Sequence, residues 1–327
     1  MKILGIETSC DETALAVVED GQRILSNVIS SSLPLHTETG GIIPERAARE
    51  QTKAIIPTLQ AALDEASLKL EQLDAVAVTA GPGLIGSLLV GVETAKTLAY
   101  LSSLPLVPIN HLIGHVYANW LEREVEPTFP NLALIVSGGH TEIFLMYGHG
   151  KFERLGGTRD DAAGEAFDKG ARLLGLPYPG GPSIQKKADL TKTALYKLPR
   201  PMLGSLDFDF SFSGLKTALA TLIEKENIRA KDIPALAASF QEAIVDTLVT
   251  KTLKATEKYR VKTILLSGGV AANQRLRNKF QESFDGEIIV SRPDLSVDNG
   301  AMIAAAAFYN FKKTGWDTVQ TDPGLLL

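Results

Sequence analysis

The stretch NHLIGHVYANWLERE places His111 and His115 four residues apart. On a helix that spacing puts two side chains on one face with their Cβ atoms roughly 6 Å apart. Imidazoles so placed either share a metal ion or form a partly buried pair hydrogen-bonded to backbone. They are two of only five histidines in 327 residues. A zinc peptidase needs H-E-x-x-H, because the glutamate after the first histidine is its general base. Leu112 occupies that position, so HLIGH offers ligands without the base. A third ligand has to come from elsewhere, and SVDNGAMIA offers Asp298, which could equally be the N-cap of a helix. Two histidines and one carboxylate with open positions suit Zn(2+) and Fe(2+) alike.

Three glycine-rich or polar turns could also do chemistry: ETSCDET, VSGGHTE and LSGGVAANQRLR. A Gly-Gly pair after a buried strand lets backbone N–H groups approach a phosphate, and a following helix adds its positive end. Glycine in a turn also serves simply to reach φ > 0, so one such turn means little; two in matching positions of two lobes would face each other across a cleft. There is no G-x-x-x-x-G-K-[ST], and GPGLIG lacks the G-x-G-x-x-G spacing, so neither a P-loop nor a dinucleotide site is supported. In the first turn Asp11 and Glu12 are candidate general bases, with Ser9 beside them; Glu12 is alternatively a hydrogen-bonded turn residue. Cys10, the single cysteine, reads as a packed small side chain rather than a nucleophile, and it excludes an intramolecular disulfide.

Alternation and periodicity predict the elements that hold these residues. KILGIETSCDETALAVVEDGQRILSNVIS reads as a meander of three strands with Asp20-Gly21 as a hairpin pair. A helix is expected from Glu45 to Leu68, a buried strand in DAVAVTAGPG, a helix from Ile85 to Leu101, and a short strand in PLVPIN. Asn110 is then the N-cap of the helix carrying both histidines. From Asn131 the same order starts again, which predicts a duplicated α/β domain. The expected division is 1–130 as a first lobe, joined by the C-terminal helix within 299–327, and 131–298 as a second lobe with a helical insertion at about 160–260. Asp298 then stands at the start of the last helix, Asn299 to Lys312.

Composition bounds the partners. Hydrophobic residues make up 45% and charged residues 22%, a globular balance, and the net charge of -5 requires any nucleic acid to be held by a local basic patch. Candidates are Lys186, Lys187, Lys192, Lys197 and Arg200, with Arg275, Arg277 and Lys279. Neither a secretory segment nor a membrane span is expected, and the reading is a cytoplasmic protein with no membrane partner.

With these residues in view, the chain closely resembles the TsaD family of tRNA threonylcarbamoyladenosine transferases. The resemblance rests on ILGIETSCDETALAVV, TAGPGLIGSLLVGVETAKTLA, NHLIGHVYANW, LIVSGGHTE, DDAAGEAFDKGARLLGLPYPGGPSI, FSFSGLKTA, SGGVAANQRLR and VDNGAMIA, in order and across nearly the whole chain. It implies a two-lobed actin-, hexokinase- and Hsp70-like ATPase fold. The implied reaction moves a threonylcarbamoyl group from threonylcarbamoyl-adenylate to N6 of the adenosine beside the anticodon, position 37, in tRNAs reading codons that begin with A. The family's metal ligands fall on His111, His115 and Asp298. Its substrate-binding positions fall on Ile135, Val136, Ser137, Gly138, Gly139, Asp168, Gly181 and Asn273; Asp168 could instead pair with Lys169 or Arg172 or cap a helix. The ETSCDET turn around Ser9 and Asp11 lines the same cleft. The implied cofactors are one divalent ion, Fe(2+) or Zn(2+), and an adenine nucleotide or the adenylate. The implied partners are tRNA, a paralogous TsaB subunit, the TsaE ATPase and a TsaC-type synthase. One segment departs from the family pattern: IPERAAREQ carries Ala48 where a serine is common and Gln51 where a histidine is common. The rival readings are a metalloendopeptidase, disfavoured by Leu112, and a kinase or nucleotide-dependent scaffold on the same fold.

Overall fold

The computed structural model describes residues 1–32, 42–191, 193–226 and 228–327. Its contacts divide into two units, Met1–Pro127 with Ser291–Leu327, and Thr128–Val290. Lys192, one of the basic candidates, lies outside the described residues.

The first unit is built on a five-stranded sheet. Strands β1 (Lys2–Glu7), β2 (Glu12–Glu19) and β3 (Arg23–Ser31) form an antiparallel meander. The β2–β3 turn passes through Asp20 (φ 52°) and Gly21 (φ 72°), the left-handed conformations that make Asp-Gly a hairpin pair. Helix α1 (Pro44–Glu65) leads to β4 (Ala75–Gly81), and α2 (Ile85–Ser102) leads to β5 (Leu106–Asn110). The order is β3-β2-β1-β4-β5, with β4 and β5 added parallel to β1. Central strands buried on both faces read as continuous apolar runs, which is why KILGIE and AVAVTAG show no alternation. One face packs Leu4, Ile6, Leu15, Val17, Val76 and Val78 against Ile55 of α1 and Val92 of α2. Helix α3 (His111–Tyr117) follows β5 directly.

The second unit repeats this plan. Strands β6 (Asn131–Val136), β7 (Thr141–Gly148) and β8 (Lys151–Gly157) form the meander. Helices α4 (Ala163–Leu173), α5 (Gly180–Ala188), α6 (Ser213–Lys225) and α7 (Ile233–Tyr259) fill the expected insertion. Strand β9 (Thr263–Ser267), α8 (Gln274–Ser283) and β10 (Glu287–Val290) complete a sheet of order β10-β9-β6-β7-β8. Read outward from the central strand, this is the order of the first sheet, so the repeat of elements is a repeat of topology. Strand β10 was not foreseen; its four residues are too short to show a period.

The chain returns to the first unit as α9 (Gly300–Tyr309), in which Gly300 to Ala307 are all buried. It packs on the opposite face of the sheet through a glycine pair. A Cβ on Gly5 would lie 2.1 Å from Gly300 O, and one on Gly300 would lie 2.6 Å from Ala16 N. Both obstacles are backbone and cannot rotate away. Gly5→Ala is therefore expected to cost about 1–3 kcal/mol in denaturant unfolding, the usual range for overpacking, and to disturb Asp298 just ahead of the helix.

Candidate functional site

Both histidines sit where the chain leaves β5. Asn110 caps α3, its Oδ1 accepting from Leu112 N at 2.8 Å, and this fixes the first turn of the helix. Gly114 lets α3 approach α9: a Cβ there would meet Ile303 Cδ1 at 2.7 Å. The approach brings Asp298 to the histidines. The cap of α9 is Asn299, which accepts from Met302 N at 2.9 Å, so Asp298 is not the cap and precedes the helix. Its Oδ1 lies 3.6 Å from His111 Nε2 and 3.3 Å from His115 Nε2. One ligand atom from each of the three residues falls within 4.8 Å of the others.

These residues fit a metal ion on two observations. Both ring nitrogens of His115 are buried and make no hydrogen bond, an arrangement that wastes two polar atoms unless one of them binds something else. Charge agrees. Burial pushes the His111 imidazole down, but the carboxylates of Glu7 and Asp298 outweigh it and raise the ring to about 9. The pocket thus favours positive charge, whether a proton or a divalent cation, and a cation has to displace that proton.

The first turn packs beside this set. Ser9 Oγ lies 3.1 Å from His111 Nδ1, and Leu84 N donates to Ser9 O at 2.8 Å. Glu12 Oε1 accepts from Ser31 Oγ at 2.8 Å, while Oε2 is buried without a partner. Burial first, with Asp11 and Asp298 adding, raises the Glu12 carboxyl to about 7. Asp11 anchors the turn through its backbone, its carbonyl accepting from Ser32 N and Oγ. Cys10 is held far above the usual thiol range by burial and then by Asp11, so it is no nucleophile.

Gln51 of α1 holds the turn from behind. Its Nε2 lies 2.9 Å from Glu12 O, 3.2 Å from Cys10 O and 3.5 Å from Thr8 O, and the residue is buried. The departure at this position is therefore a structural clamp on the turn. Gln51→Ala would remove these bonds, Cys10 O keeping the one it accepts from Ser87 Oγ, with an expected loss of about 1–3 kcal/mol in thermal or chemical unfolding.

The second unit carries its own constellation. At the β6–β7 turn Ser137 N donates to His140 O and His140 N to Ser137 Oγ. Those two N–H groups are spent within the turn. No such bond ties up Gly138 or Gly139 among the described residues. A Cβ on Gly138, Gly139, Gly181 or Gly269 would meet no atom within 4 Å, as is also true of Gly175 and Gly204, so these glycines border open space. Gly268 (φ 87°) and Gly164 are glycine for a different reason: a side chain on either would strike the backbone of Val136 to Gly138. Ile135 and Val136 are buried strand residues that carry the turn. Asp168 Oδ1 accepts from Gly180 N at 2.7 Å at the start of α5, and burial raises its carboxyl. It pairs with neither helix neighbour; Lys169 binds Asp161 and Glu165 instead. Asn273 caps α8 through Leu276 N and donates to Gln241 Oε1 at 2.9 Å.

A family model described as tRNA N6-adenosine threonylcarbamoyltransferase, TsaD, matches residues 23–305. The chain belongs to the TsaD family. Proteins named tRNA N6-adenosine threonylcarbamoyltransferase from Dehalococcoides mccartyi and Geobacillus thermodenitrificans are 52% and 49% identical to it. The first alignment covers 97% of each chain, the second 99% of this one and 96% of the relative. Among solved structures, the activator of the 2-hydroxyisocaproyl-CoA dehydratase from Clostridium difficile aligns with a TM-score of 0.55 at 15% identity over 95% of each chain. HypF from T. kodakarensis aligns with a TM-score of 0.64 at 15% identity, over 94% of this chain and 47% of its own. The fold is thus the actin-like ATPase type that the TsaD resemblance implied.

The basic residues divide sharply in this TsaD chain. Arg200 pairs with Asp246, Arg275 with Glu242 and Glu282, and Lys279 with Glu242 and Asp246, while Arg277 Nε donates to Ala271 O. Arg200, Arg275 and Lys279 are thus tied to carboxylates of α7 and α8, and Arg277 to the turn before α8; Lys186 and Lys197 are exposed. Sequence reasoning assigned no role to Glu7 or Thr79. For Glu7 a signal existed, a carboxylate in an otherwise apolar buried strand. No helix among the described residues is long and apolar enough to cross a membrane.

Proposed function

We propose that this chain transfers the threonylcarbamoyl group from threonylcarbamoyl-adenylate to N6 of the adenosine adjacent to the anticodon, position 37, in tRNAs reading codons that begin with A. The observation that carries the reading is the His111–His115–Asp298 set, with both nitrogens of His115 buried without a hydrogen bond, inside a family match of nearly full length. Leu112, buried where a peptidase needs its glutamate, removes support from peptide hydrolysis.

In this reaction N6 attacks the carbonyl carbon of the mixed anhydride. A C–N bond forms, the C–O bond to the adenylate phosphate breaks, AMP leaves with the electron pair, and one N6 proton must be taken up. Glu12 is assigned that proton because burial, with Asp11 and Asp298, raises its carboxyl to about 7. His111, His115 and Asp298 would hold Fe(2+) or Zn(2+), which supplies Lewis-acid stabilisation of developing negative charge. Ser9 keeps the turn against α3, and Asp11 ties it to Ser32 after β3. In the second unit the Gly138 and Gly139 N–H groups are assigned to adenylate phosphate, with Ile135 to Ser137, Asp168, Gly181 and Asn273 shaping the nucleotide subsite. TsaB, TsaE and a TsaC-type synthase are proposed partners on the strength of family membership.

The test is incubation with threonylcarbamoyl-adenylate and unmodified tRNA, followed by nucleoside analysis. Threonylcarbamoyladenosine is expected; if none forms even with TsaB and TsaE supplied, the assignment fails. Lys186→Ala should weaken tRNA binding and flatten its salt dependence if that exposed lysine meets the phosphate backbone.

A further inference from the structure

Glu7 is fully buried at the end of β1, and none of its three partners is solvent. Its Oε1 accepts from Ser9 N at 2.6 Å; its Oε2 accepts from Thr79 Oγ1 at 2.5 Å and lies 3.0 Å from His111 Nδ1. One carboxylate thus ties the central strand, the neighbouring strand β4 and the histidine helix together.

The chemistry of that third contact is directional. An ionised carboxylate carries no proton and can only accept, so its partner nitrogen has to be the protonated one. Ser9 Oγ, 3.1 Å from the same Nδ1, can donate or accept and selects neither tautomer. With Nδ1 carrying the hydrogen, the lone pair belongs on Nε2, the nitrogen that faces Asp298 at 3.6 Å. His115 has no such orienter, since its Nδ1 makes no hydrogen bond.

We propose that Glu7 is the positioning residue of the metal set: it fixes the tautomer and ring plane of His111 and adds a buried negative charge behind it. This rests on the metal reading above and deepens it. Outer carboxylates that orient ligating histidines are typically worth about 10- to 100-fold in metal affinity. The locked geometry of Glu7, held at both oxygens, places it in that range.

The experiment measures Zn(2+) affinity by chelator competition for the full-length parent, Glu7→Gln and His111→Ala. Selective 15N-histidine NMR of the Zn(2+)-loaded parent accompanies it. The parent is expected to bind one Zn(2+), Glu7→Gln to bind at least tenfold more weakly while remaining folded, and His111 to show Nδ1–H with Nε2 on the metal. Glu7→Gln binding as tightly as the parent overturns the role of Glu7 and leaves the metal reading intact. A parent that binds no better than His111→Ala overturns both. Should Glu7→Gln not fold, the parent's tautomer decides: a proton on Nε2 with Nδ1 toward the metal ends the proposal.

Discussion

Replacing His115 by leucine is expected to reduce threonylcarbamoyl transfer by more than about 100-fold, since loss of a ligand should exceed the effect of an outer-shell residue, without destabilising the metal-free protein. Two physical facts drive these opposite results. A three-residue set reduced to His111 and Asp298 cannot hold a divalent ion with useful affinity, so the chemistry it supports is lost. Yet neither buried His115 nitrogen makes a hydrogen bond, Nε2 standing 3.3 Å from Asp298 Oδ1, so an apolar side chain of similar size forfeits little in the metal-free protein. Unfolding midpoints should therefore rank differently with and without metal. In chelator the variant should match or exceed the parent; with saturating Zn(2+) only the parent should gain, by an amount set by ion concentration over Kd. A variant that is markedly less stable in chelator would show that His115 is a packing residue rather than a ligand.

The second large effect concerns Glu12. If it takes the N6 proton, transfer rate should rise with pH through about 7, the value to which burial and then Asp11 and Asp298 raise its carboxyl, and level off above it. Glu12→Gln should abolish that limb along with most of the activity, by about 100-fold or more for a lost general base. Stability should move the other way. A carboxyl whose folded pKa lies above its unfolded value binds its proton more tightly when folded, so ionisation opposes folding. The penalty is absent below about 4.5, grows between there and 7, and is complete above 7. Because the group is only part-buried, solvent screening trims the penalty to about 1–2 kcal/mol. Glu12→Gln should accordingly unfold at a higher temperature than the parent at pH 8 and at the same temperature at pH 4.5. A bound cation at Asp298 opposes one of the causes of the shift, so the metal-loaded enzyme should titrate lower than the chelated one. A rate independent of pH between 6 and 8 would remove Glu12 as the base.

Much of this was legible in the sequence because it is local. The histidine spacing, the Asn110 cap, the Asp-Gly hairpin and the repeated strand–turn–strand order each depend on residues within a few positions of one another, where periodicity and turn chemistry operate. The missing glutamate at Leu112 is likewise local, and it separates this set from a peptidase. The family pattern then extended these pieces to Asp298 and to the glycine turns.

What the sequence could not decide is which groups meet across long separations. Asp298 reaches the histidines because Gly5, Gly114 and Gly300 let backbones and side chains approach more closely than any Cβ would permit, and no spacing rule encodes that approach. Arg275 and Lys279 look alike as surface charges until the carboxylates of α7 are placed opposite them. Glu7 and Gln51 gain their roles only when β1, α1 and α3 are packed, since a hydrogen bond is fixed within a few tenths of an ångström and a sequence records order, not distance. The sequence by itself thus determined the family, the strand and helix order and the ligand types. The tertiary structure decided which polar groups are spent on holding the fold and which remain, as in His115, for something else to bind.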